Sequence, residues 1–175
     1  MISKLHAFDK ETGSVNAVVE TPQGSRCKYK FDPKNELFKL DKILPAGAVF
    51  PFDFGFIPST LAGDGDPVDV LVLMDEPSFA GCLVPARIVG AIEATQTENN
   101  RTERNDRVIA VAVASQEHRD IKELGQLSPN LLTQIEHFFV SYHELENKPF
   151  KPIGRANSGK ARQLVENGIK QKNKA

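Results

Sequence analysis

The sequence predicts an α+β fold, a small closed or half-open β-barrel with helices packed outside it. Short β-branched segments separated by turn residues run to about residue 115. Beyond them one segment repeats its apolar residues at steps of three and four, which marks a helix with one buried face. Strands precede helices instead of alternating with them, so a parallel βαβ sheet is excluded. At 175 residues, one domain spanning 1–175 is expected. A chain of that size buries roughly two thirds of the surface its unfolded form exposes.

The segments "GSVNAVVETP" and "RCKYKFD" flank a Pro-Gln-Gly-Ser turn and together resemble a hairpin. "AGAVFPFDFGFIPST" is aromatic but broken by prolines, as an edge or bent strand would be. "VDVLVLM", "CLVPARIVGAIEAT" and "RVIAVAVAS" complete the strands. In "SPNLLTQIEHFFVSYHELE", Ser128 is the expected N-cap and Pro129 the first helical residue. Its stripe is Leu131, Leu132, Ile135, Phe138, Phe139, Tyr142 and Leu145. "HRDIKELGQL" suggests a shorter helical turn ended near Gly125. The locally basic tail "KARQLVENGIKQKNKA" reads as a solvated or frayed helix.

A net charge of -1 argues against a protein devoted to binding polyanions. No apolar run is long enough to cross a bilayer, so no membrane partner is expected. The opening "MISKLHAFDK" lacks the hydrophobic segment of a signal peptide, and the cytoplasm is the expected compartment. Cys27 and Cys82 lack metal-ligand spacing and read as reduced, buried thiols.

The chemistry is carried by "AGDGDPVDVLVLMD". Asp64 and Asp66 alone would suit a solvated turn, but Asp69 falls inside the apolar run and cannot easily reach solvent. A straight strand would point Asp66 and Asp69 to opposite faces; Gly65 and Pro67 supply the irregularity that turns all three toward one point. Three converging carboxylates raise one another's pKa unless a cation lies among them. Oxygen-only ligands suit a hard ion, Mg²⁺ or Mn²⁺, and such an ion commonly meets phosphate oxygens. An EF-hand is excluded because Asp69 stands where its obligatory glycine would be. Cations to share phosphate charge are available in Lys28 and Lys30 on one strand face, in Lys42, and in Arg107.

"DGDPVDVLVL" resembles the signature loop of the soluble inorganic pyrophosphatases. "VVETP", "KYKFD", "FPFDFGFIPST", "RVIAVAV" and "IEHFFVSYHELE" follow in that family's order, from about Glu20 to Glu146. The resemblance implies a five-stranded OB-like barrel with flanking helices that hydrolyses pyrophosphate with Mg²⁺. It implies Asp64 and Asp69 as metal ligands, with Glu20 as an acid at the cavity. Asp66 would be the general base for the attacking water, and Lys28 and Tyr142 would contact phosphate. A metal ligand before "VIAVAV" falls at Asn105 or Asp106. Family members are often homo-oligomers, hexamers in bacteria, although no oligomer face is visible in the sequence.

Several positions depart from the family pattern. Lys30 stands where the family usually has an acidic ligand, and Lys42 replaces an Arg, losing a bidentate fork. Phe50 and Phe54 replace tyrosines. His143 replaces a Lys and would add charge only when protonated. Glu98 and Glu103 are candidate substitutes for a missing Asp, and Arg104 and Arg107 add positive charge. Two further readings therefore stand beside the pyrophosphatase. One is hydrolysis of a related phosphoanhydride or phosphorylated metabolite. The other is a non-catalytic barrel binding metal, phosphate or single-stranded nucleic acid, although aspartates lining a groove repel a polyanion.

Overall fold

The structure, a computed structural model, describes residues 2–144 and 146–174. In chain order it contains β1 (Val15–Thr21), β2 (Cys27–Asp32), β3 (Leu37–Ile43), β4 (Asp53–Phe56), β5 (Asp69–Leu73) and β6 (Leu83–Glu98). Then follow β7 (Arg101–Arg104), β8 (Arg107–Ala112), helix α1 (Pro129–Glu144), β9 (Phe150–Asn157) and helix α2 (Ser158–Lys172). Pro129 opens α1 as its fixed φ favours. Leu145, on the expected stripe, lies outside the described residues.

Strands pair in the order β1-β4-β5-β8-β6, and β6 pairs back onto β1, so five strands close a ring. This is the small barrel with flanking helices that the sequence predicts. Only β5 and β8 run parallel; the other ring pairs are antiparallel. β1 and β4 approach so closely that a Cβ on Gly55 would lie 1.9 Å from the Val18 carbonyl oxygen. No other residue fits there.

The run "VLVL" is apolar at every position because β5 is covered on both faces. Val70 and Val72 join one core cluster, with Ile57, Val68 and Val165. Leu71 and Leu73 join the other, with Ile135 and Phe139 of α1.

Several local expectations are corrected. β1 does not form a hairpin with β2: it is a ring strand, and β2 pairs with β3 as a separate two-stranded sheet. Side chains take the place of a ladder between β1 and β2, since Thr21 Oγ1 and Glu20 Oε1 accept the Tyr29 and Phe31 amides at 3.0 and 2.6 Å. β4 is no edge; it lies buried between β1 and β5, because its prolines fall outside the four paired residues. The basic tail is not frayed: α2 packs one face through buried Ala161, Val165 and Gly168 and leaves most of its other residues to solvent. The expected shorter turn is a single 3₁₀ turn, Leu124–Gln126, ending one residue past Gly125. Cys27 and Cys82 are free, and half-buried rather than buried.

Candidate active site

The acidic loop bridges β4 and β5. Thr60 braces its neck, donating to the Ile57 carbonyl at 2.6 Å and accepting the Val68 amide at 2.9 Å. Nearer the tip, the Ala62 amide donates to the Asp66 carbonyl at 2.7 Å, and Asp64 Oδ1 accepts the Asp66 amide at 3.1 Å. Gly65 at φ +87° supplies the turn that a side chain would strain. Asp64 and Asp66 therefore stand on a tight turn, and Asp69 opens β5.

The loop forms one wall of a cleft of about 560 Å³. Glu20, Asp64, Asp66 and Asp69 line it with Lys28, Lys30, Lys42, Asn105, Arg107, Tyr142 and His143. Glu20 is buried, and burial pushes its carboxyl up to about 7, with the Phe31 amide opposing. Burial also raises Asp64 and Asp69, the latter against the charges of Arg107 and Lys28. Burial thus holds these carboxyls above their ordinary range even with cations nearby.

The three loop aspartates do not turn to one point. Asp66 Oδ2 meets Lys30 Nζ at 2.9 Å, and Asp69 Oδ2 meets Arg107 Nη1 at 2.6 Å. Two of the three carboxylates are thus drawn aside by side-chain cations. Among the described residues, the group of three acid or histidine side chains whose ligand atoms all lie within 4.8 Å of one another is Asp75, Glu117 and His118, at the surface. There Asp75 caps a turn, accepting the Gln116 amide at 2.8 Å and the Ser115 hydroxyl.

Arg107 is buried, with its guanidinium 5.3 and 5.2 Å from the Phe139 and Phe150 ring centroids. It also donates to Asn105 Oδ1 and meets His143 Nε2 at 3.4 Å. Of the two positions open to a ligand before β8, Asn105 enters the cleft with Arg107. Asp106 turns away, accepting the Ala94 amide and the Arg104 guanidinium at 2.9 Å each. This alternation corrects Asp106 as a cleft ligand. Arg104 follows it out of the cleft to pair with Glu93 at 3.0 Å. Glu98 lines the cleft but pairs with Lys148 at 2.7 Å, and Glu103 is exposed on β7.

Lys28 and Lys42 stand over the Tyr142 ring at 5.2 and 5.6 Å. Asp41 lies 3.9 Å from Lys28 and 3.5 Å from Lys42, and Glu146 pairs directly with Lys42. The Tyr142 hydroxyl is buried without a hydrogen-bond partner among the described residues, and burial followed by the Glu146 charge raises its pKa. Burial, then Arg107, Lys28 and Lys42, holds His143 down to about 2, so it is neutral and adds no charge. Sequence reasoning missed Asp41, Glu146 and Lys148 as cleft residues. Asp41 adjoins Lys42 in sequence, but nothing local signals Glu146 or Lys148, which the chain brings in after α1.

Fold and site define a class: a β-barrel protein whose acid-lined, lysine-faced cleft suits metal-assisted chemistry on phosphate. A family model described as inorganic pyrophosphatase matches residues 17–173. The inorganic pyrophosphatase of Nostoc sp. is 37% identical over 169 residues, covering 97% of each chain. The crystal structure of the inorganic pyrophosphatase from Thermus thermophilus matches with a TM-score of 0.89 at 34% identity over 98% of each chain. That of an inorganic pyrophosphatase from Neisseria gonorrhoeae matches with a TM-score of 0.88 at 30% identity, again over 98% of each. This chain belongs to the inorganic pyrophosphatase family. Membership implies a divalent metal cofactor. No described helix is long and apolar enough to cross a membrane.

Proposed function

We propose that this chain hydrolyses inorganic pyrophosphate to two phosphates, with Mg²⁺ as the working ion and Mn²⁺ as its closest substitute. The observation that carries this reading is one cleft in which Glu20 and the loop acids are brought together with Lys28, Lys42 and the Tyr142 hydroxyl. The donor set fits the metal: it is oxygen-only, and burial holds Glu20, Asp64 and Asp69 above their ordinary carboxylate range, a cost that a bound cation would offset. Asp64 and Asp69 would hold the ion, with Glu20 and the Asn105 side chain as further oxygen donors.

When bound, a divalent ion there acidifies water and offsets phosphate charge. The chain supplies the rest. Lys28 and Lys42 bind phosphate oxygens as point charges, and the Tyr142 hydroxyl donates to one of them. Asp66, on the solvent-facing turn, accepts the proton of the attacking water as its oxygen bonds to phosphorus. The bridging P–O bond breaks in line, and the second phosphate leaves with the electron pair. Arg107 is walled in by aromatic rings, so its role is to hold Asp69 rather than to reach substrate.

The test is phosphate release from pyrophosphate with Mg²⁺, wild type against Asp66→Asn. Turnover at least about a hundredfold higher in wild type is expected for a general base. Folded wild-type protein without turnover across several divalent ions would overturn the reading. A second reading, a related phosphoanhydride as substrate, is favoured by Phe50 and Phe54, which bring rings without hydroxyls to the cleft. A substrate panel separates the two, pyrophosphate being preferred by orders of magnitude if the first holds.

A further inference from the structure

The two cations paired with the loop aspartates differ in freedom. Arg107 has a side chain only 3% exposed and is held by Asn105, His143 and three phenylalanine rings. Lys30 is 45% exposed and its partner Asp66 58% exposed, with 2.9 Å between charged atoms. An exposed pair of this kind forms and breaks readily, because water competes for both partners. Burial acts to lower the Lys30 pKa, but the Asp66 bond and the Asp66, Glu20 and Asp69 charges outweigh it, so the side chain stays an ammonium.

The position of that ammonium matters more than the strength of its bond. β2 delivers Lys30 to the cleft face beside Lys28, opposite the acidic loop. There it offsets charge that a divalent ion would otherwise offset, and it repels such an ion across the same few ångströms. We propose that Lys30 is the resident counter-ion of Asp66, pairing with that carboxylate at Oδ2 and setting how tightly the cleft takes a divalent cation. The inference rests on the proposed metal-assisted reading of the same cleft. It makes Lys30 the side chain that restrains metal affinity.

The test is a calorimetric Mg²⁺ titration of the folded, pyrophosphate-free protein. Lys30→Gln and Lys30→Met are each expected to bind Mg²⁺ more tightly than wild type, by about tenfold at low salt. The difference should shrink as added salt screens the charge. Lys30→Arg keeps the cation and should return wild-type affinity. A lysine with a merely structural role would leave affinity unchanged or weaken it on removal. Equal or weaker Mg²⁺ binding in both neutral variants therefore overturns the inference, whatever becomes of pyrophosphate turnover. Absence of Mg²⁺ binding in wild type and variants alike overturns the metal-site reading and this inference with it. Tighter binding without turnover overturns the proposed reaction alone.

Discussion

Arg107 Nη1 lies 2.6 Å from the Asp69 carboxylate, in a pair whose cation is only 3% exposed. Such a pair adds little net stability against an apolar replacement of both partners, because both charges have left water. Removing one partner alone is another matter, since a half-buried carboxylate is left without its counter-ion. Arg107→Gln is expected to cost about 3–5 kcal/mol, read as a lower urea midpoint with an unchanged slope. Arg107→Lys should recover only part of this, because one ammonium cannot serve Asp69, Asn105 and His143 together. Full recovery by lysine would show that charge alone matters at this position.

Glu20 sets an expected pH dependence in the metal-free protein. Its carboxyl titrates near 7 in the folded chain against 4.5 for the free group. A raised pKa means that the folded state holds the proton over this interval. The stabilising contribution is complete below pH 4.5 and is lost as pH rises through about 7. Folding stability measured in chelator should fall across that window by about 3 kcal/mol from this group. Glu20→Gln keeps an acceptor for the Phe31 amide and cannot ionise. It should flatten the window, and an unaltered slope in urea titrations would count against Glu20 as the source.

The barrel was legible because turn residues and period are local properties of the chain. Segments such as "RVIAVAVAS" announce themselves, and so does the stripe on α1. Pairing partners were not legible: "GSVNAVVETP" and "RCKYKFD" look like a hairpin, yet β1 is claimed by β4 and β6. That choice is made by which faces can be buried, which no local window contains. β9 went unread for a similar reason, since "FKPIGRAN" has prolyl and glycyl breaks and takes its strand form from β6. In the site, Asp64, Asp66 and Asp69 were evident from spacing, whereas Lys28 and Lys42 were singled out from other lysines by the family resemblance. What spacing could not disclose is that Lys30 and Arg107 would each draw one aspartate aside.

His143 carries the third prediction. Burial, reinforced by Arg107, Lys28 and Lys42, holds its ring neutral far below the ordinary histidine range. Its Nε2 faces the Arg107 guanidinium, so the ring accepts there and its proton lies on Nδ1. Nuclear magnetic resonance should find no titration of this ring between about pH 5 and 8, the window in which an unperturbed histidine changes charge. His143→Gln, which keeps a neutral acceptor for Arg107, should leave the shape of the pH–rate profile unchanged. An inflection near the free histidine value that vanished in this variant would contradict the neutral assignment.

Gly168 ties α2 to the acidic loop from behind. Its carbonyl accepts the Leu61 amide at 3.0 Å, at the point where the loop leaves the Thr60 brace. A Cβ at position 168 would lie 3.0 Å from Val68 Cγ2, 3.2 Å from Thr60 Cβ and 3.3 Å from the Leu61 carbonyl oxygen. Alanine inside a helix is worth about 1 kcal/mol over glycine by backbone entropy. Three simultaneous close contacts oppose that gain, and Thr60 is fixed by hydrogen bonds on both sides, so it cannot give way alone. Overpacking should win, leaving Gly168→Ala less stable by about 1–2 kcal/mol. Either α2 or the loop must then shift by a few tenths of an ångström, and the loop carries Asp64 and Asp66. Weaker Mg²⁺ binding by calorimetry should accompany the lower melting temperature. A variant more stable than wild type, with metal affinity intact, would show that the helix does not set the height of the loop.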